Sequence, residues 1–76
     1  MKYPELNRVL MNEGQSQVAI NIVELVATGL SNKEIANQLF LDERSVKNIL
    51  MSVYDSMQFR SRTQLIVWCL PLMETR

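Results

Sequence analysis

Only four residues punctuate this chain with strong turn or breaker chemistry: Pro4, Gly14, Gly29 and Pro71. The long stretches between them favour helices, because β-rich chains of this length need more turn residues. Between Gly14 and Gly29, Val18, Ile22, Leu25 and Val26 recur at helical spacing, and Ala19 and Val23 widen the stripe. That pattern predicts a well-buried amphipathic helix with Ser16 as N-cap and Gly29 as its stop.

The same logic sets out the other elements. Residues 4–13 can form a short helix with Leu6, Val9 and Leu10 on one face, Pro4 in its first turn and Gly14 at its C-terminal end. Ser31-Asn32-Lys33-Glu34 has the pattern of a capping box, in which hydroxyl and carboxylate satisfy each other's backbone N–H. Leu30 and Ile35 form its hydrophobic staple, and the helix is expected to run through Ala36, Leu39 and Phe40. Asp42 is placed to cap a further helix at once. There Val46, Leu50, Val53 and Met57 form a core stripe, and Arg44, Lys47, Asn48, Met51 and Asp55 lie opposite. Ser61 and Gln64 suggest a second capping box. The helix after it, from Arg62 to about Leu70, is apolar all round, and Pro71 is expected to end it.

The 76 residues suffice for one small domain, read as residues 15–72 with an N-terminal extension at 1–14 and a tail at 73–76. Eight Lys and Arg balance eight Asp and Glu, so net charge alone does not point to nucleic acid. One cysteine, Cys69, cannot make an internal disulfide, which suits a reducing, cytoplasmic setting. With no histidine and a lone cysteine, no metal site or cofactor is expected. No run approaches the ~20 apolar residues of a membrane span. Nothing suggests an enzyme: no Gly-rich phosphate loop and no nucleophile with a neighbouring base.

One capped helix, a turn of about three residues and a second capped helix form the pattern of a helix-turn-helix. Arg44, Ser45, Lys47 and Asn48 then fall near the start of the second helix, where a recognition helix carries its base-reading side chains. Arg and Lys donate to guanine, Asn pairs with adenine, and an exposed Met51 can meet a thymine methyl.

Three segments carry a resemblance in register: Gly29-Leu30-Ser31-Asn32-Lys33-Glu34-Ile35-Ala36, then Ser45-Val46-Lys47-Asn48, then Arg60-Ser61-Arg62-Thr63-Gln64. Together they resemble the LuxR/GerE type of bacterial transcription regulator over Ser16 to Leu70. The resemblance implies an all-α, four-helix helix-turn-helix domain, here with room for an extra short N-terminal helix. It implies a sequence-specific regulator that binds double-stranded DNA as a homodimer. Lys47 and Asn48, with Arg44, Ser45 and Met51 around them, would read the major groove. Asn32 and Lys33 would touch backbone, and Arg60 and Arg62 would sit near phosphates or brace the last helix. Leu65, Ile66, Trp68 and Cys69 on that helix would supply core and dimer contacts.

The chain also departs from the family pattern. Gln15-Ser16-Gln17-Val18-Ala19 stands where the family has an Arg-Glu pair, which removes an acidic residue and a structural ion pair. Ile49 stands where His is common, and Asp55-Ser56 where Arg-Lys is common. An acid on the reading face repels phosphate. These departures and the zero net charge keep an alternative open: a module that pairs with a related regulator and modulates it without strong DNA binding of its own. A related regulator and RNA polymerase are the further candidate protein partners. Arg62 also has structural options, pairing with Glu34, Asp42 or Asp55.

Overall fold

The structure, a computed structural model, describes residues 2–74. Five helices follow one another: α1 (Pro4–Asn12), α2 (Gln17–Ala27), α3 (Asn32–Leu39), α4 (Glu43–Met57) and α5 (Arg62–Met73), with no strand among the described residues. α2 is the central element and packs against all four others, while α3 lies on α4 and α1 on α5. The all-helical expectation is met, and the extra N-terminal helix is present.

Local chemistry explains where the helices start. Ser16, Ser31 and Ser61 each sit in extended backbone and accept a hydrogen bond from the N–H three residues on. Ser31 and Glu34 complete the reciprocal box: the Ser31 N–H donates to Glu34 Oε1 at 2.8 Å, and the Glu34 N–H donates to Ser31 Oγ at 3.2 Å. The second box is shifted by one residue. Gln64 Oε1 accepts from the Arg60 N–H at 2.6 Å rather than from Ser61. Asp42 occupies the N-cap of α4, but its carboxylate takes no capping hydrogen bond.

Four helices end on a left-handed residue. After α1 and α2 it is glycine: Gly14 (φ 86°) and Gly29 (φ 103°). After α3 and α4 it is Phe40 (φ 58°) and Gln58 (φ 61°), which carry a Cβ into that conformation. At each end the next N–H reaches back to a last-turn carbonyl, as Leu41 does to Ala36 at 2.8 Å and Phe59 to Tyr54 at 2.9 Å. Phe40 therefore stops α3 rather than extending it. The reversal directs Leu41 toward the core and leaves the Phe40 ring 95% exposed.

Among the described residues, fourteen buried apolar side chains form a single core. Leu6 and Leu10 of α1 belong to it with no exposed area, and each such burial stabilises by roughly 1.5–3 kcal/mol. Asn7, 5% exposed, is buried beside them. Its Oδ1 accepts from Gln17 Nε2 at 3.3 Å, tying α1 to α2. With helices on several sides, the buried face of α2 is rotated toward Ala19, Ile20 and Val23, and Val18, expected inside, is 45% exposed.

α5 passes through Pro71 and closes at Met73, so the proline does not end the helix. The carbonyl that loses its N–H partner belongs to Val67, whose side of the helix faces solvent. Beyond it Leu72 and Met73 pack against the core and hold the last turn. Of the tail expected at 73–76, Met73 is thus helical, Glu74 follows it, and residues 75 and 76 lie outside the described residues.

Candidate nucleic-acid interface

α4 has two faces set by its own spacing. Val46, Leu50 and Val53 are buried, and Met57 is half-buried beside them. Two residues earlier, at the same i, i+4, i+7, i+11 spacing, Arg44, Asn48, Met51 and Asp55 form an exposed stripe. Lys47 flanks it on one side and is exposed; Ser45 flanks it on the other and is half-buried. α3 packs behind α4, and the turn between them is Phe40-Leu41-Asp42. The unit is therefore a capped scaffold helix that presents the first two turns of a longer one.

Lys33, Arg44, Lys47 and Arg60 are exposed and take part in no ion pair among the described residues. The ion pair found there, between Arg8 and Glu5, lies on α1, away from this face. A cation without a partner gives up no internal contact when it meets a phosphate or a base edge. Asp55 lies about 16 Å along the axis from Arg44, at 1.5 Å per residue, so the acid sits beyond the cationic half of the stripe. Glu34 is bound to Ser31, and those hydrogen bonds, the backbone one foremost, hold its carboxyl below the usual carboxylate range.

Asn32 and Arg62 occupy a different place from the other predicted contacts. Arg62, at the first position of α5, is half-buried and meets no carboxylate among the described residues: Nη1 donates to Asn32 Oδ1 at 2.6 Å and Nη2 to the Leu30 carbonyl at 2.7 Å. None of Glu34, Asp42 and Asp55, considered as partners from sequence, pairs with it.

The last helix corrects part of the expected pairing surface. Leu65 and Cys69 have no exposed area and are filled by the chain's own core, so their side chains have no surface to offer a second copy. Burial pushes the Cys69 thiol up to about 12. Ile66 is half-buried, and so is Trp68, whose ring packs against Phe59 at 5.6 Å between centroids. The outward apolar residues are instead Val67, 60% exposed, and Leu70, 51% exposed. A helix apolar all round gives no periodic signal for its outer face. Polar Thr63 and Glu74, in register with Val67 and Leu70, are the one clue in the sequence.

Among the described residues no helix is long and apolar enough to cross a membrane, and no cluster of His, Cys, Asp and Glu could hold a metal ion.

Comparison with known proteins adds a family. The model of bacterial regulatory proteins, luxR family, matches residues 16–69. The chain is 46% identical over 46 residues to a protein named as an HTH-type transcriptional regulator, Rv0890c of Mycobacterium tuberculosis (strain ATCC 25618 / H37Rv), a match covering 60% of this chain and 5% of that protein. The figures are the same for the similarly named Mb0914c of Mycobacterium bovis, 46% over 46 residues, 60% and 5%. The DNA-binding transcriptional activator DevR/DosR of Mycobacterium tuberculosis is 34% identical over 55 residues, 72% of this chain and 25% of that protein. The chain thus spans about a twentieth of the length of the first two and a quarter of the third. No solved structure matches it.

Proposed function

The chain belongs to the luxR family of bacterial regulatory proteins, and from that premise we propose that it is a cytoplasmic, sequence-specific DNA-binding transcription regulator whose α4 reads the major groove. The observation that carries this reading is the exposed face of α4, where Arg44 and Lys47 take part in no ion pair among the described residues and Asn48 is exposed beside them in the N-terminal half of the helix. Arg44 and Lys47 supply donors for guanine or phosphate, Asn48 a bidentate partner for adenine, and Met51 an apolar contact for thymine. Lys33 and Arg60 flank the unit as backbone contacts. Two copies pair through the outward face of α5, with Val67 and Leu70 central and Ile66 beside them.

Selection of bound duplexes from a random library tests both parts. A two-fold-related consensus supports a dimer reading two half-sites. A single half-site leaves the reader but removes the dimer, and no enrichment by folded protein contradicts the reading.

A second reading has its own support. The formal net charge is zero, Asp55 is exposed on the reading face, and Val67 and Leu70 are apolar and open. In it the chain pairs with a related regulator through α5 and binds DNA weakly. Asp55→Lys separates the two: it strengthens DNA binding and steepens the salt dependence of a reader, and changes little in a pairing module.

A further inference from the structure

We infer that Arg62 acts on DNA through Asn32, as a positioning residue that turns the Asn32 amide outward as a hydrogen-bond donor for a backbone phosphate. This rests on the DNA-binding reading above. The chemistry of the pair fixes the amide's orientation. A guanidinium has donors and no acceptor, so the Asn32 atom 2.6 Å from Arg62 Nη1 must be the oxygen. The Asn32 Nδ2 group then faces away from Arg62. Among the described residues it has no hydrogen-bond partner, and it is not a buried unsatisfied group, so it is open to solvent.

Arg62 is itself braced. Its second terminal nitrogen donates to the Leu30 carbonyl at 2.7 Å, just before the Ser31 cap, so both ends of the contact are fixed to the entry of α3. Asn32 is the first residue of α3, the scaffold helix, which in a helix-turn-helix crosses the phosphate backbone. Lys33 beside it is exposed and takes part in no ion pair among the described residues. Asn side chains are ordinary phosphate donors, and one held in a single orientation loses less freedom on binding than a free one.

The test is a double-mutant cycle on the full chain. Affinity for one selected duplex is measured across salt concentrations for wild type, Asn32→Ala, Arg62→Gln and the double variant, with thermal melts to show that each is folded. A positioning role predicts that Asn32→Ala weakens binding about fivefold, the effect of one hydrogen bond. Arg62→Gln weakens it by a similar factor at the wild-type salt slope, and the double variant is no weaker than either single one. If Arg62 touches phosphate itself, Arg62→Gln lowers the slope by about 0.9 and its loss multiplies with that of Asn32→Ala, which overturns the inference. Wild-type affinity in Asn32→Ala overturns it too. Should Arg62→Gln melt too low, Arg62→Lys replaces it, and its loss must vanish in the Asn32→Ala background. Folded wild-type protein that binds no duplex contradicts the underlying DNA reading instead, and this inference falls with it.

Discussion

Arg62 and Asn32, thirty residues apart, meet at 2.6 Å and join the start of α5 to the start of α3. The same guanidinium holds the Leu30 carbonyl. These are charge-assisted hydrogen bonds from a half-buried cation to neutral acceptors. Arg62→Ala is therefore expected to destabilise the fold by about 2 kcal/mol. A urea unfolding curve checks this, and a midpoint equal to wild type would show that the contact carries no weight.

Gln58 stands where α4 ends in left-handed backbone, with φ 61°. A side chain there costs about 1 kcal/mol or more, part of which glycine recovers against its own chain entropy. Gln58→Gly is expected to raise stability by about 0.5 kcal/mol, read as a higher melting temperature. Phe40 has the same conformation at φ 58°, and its exposed ring gives it no packing to lose. Phe40→Gly should act in the same direction.

α1 lies outside the family match but inside the core. Leu10 has no exposed area, so Leu10→Ala is expected to cost about 2–5 kcal/mol in chemical denaturation. A change below about 1 kcal/mol would mean that α1 adds little to the fold.

Cys69 gives a chemical probe of the same core. Its thiol is fully buried and is pushed up to about 12 by desolvation. It should resist thiol reagents in the folded protein and react on unfolding. The sign of the pH effect follows. The unfolded thiol ionises from about pH 8.5 while the folded one stays protonated, so its contribution to stability is intact below that value and declines as pH rises toward 12. Stability measured from pH 8 to 10 should fall more steeply in wild type than in Cys69→Ala.

Much of this was legible because the signals are local. Ser16, Ser31 and Ser61 lie three residues from their partners, Gly14 and Gly29 are the residues that left-handed ends prefer, and the two stripes of α4 follow from its period. The remainder depended on neighbours. Phe40 and Gln58 adopt a glycine-like conformation with no glycine to mark it. Ile20 is buried and Val18 exposed because of what packs around α2. The all-apolar α5 hides which side faces inward, so its period marks neither Leu65 and Cys69 as wholly buried nor Val67 and Leu70 as outward. Arg62 bonds to an amide and a carbonyl thirty and thirty-two residues away, and neither acceptor leaves a charge pattern in the sequence.

The central claim is that the free cations of α4 face DNA. The most direct measurement is fluorescence anisotropy with a duplex from the protein's own upstream region and a scrambled control, for wild type and Lys47→Ala, across several salt concentrations. The account predicts sequence-dependent binding that weakens steeply with salt, and a slope reduced by about 0.9 in Lys47→Ala. Equal affinity of folded wild type and Lys47→Ala for both duplexes, or no binding at low salt, would contradict it.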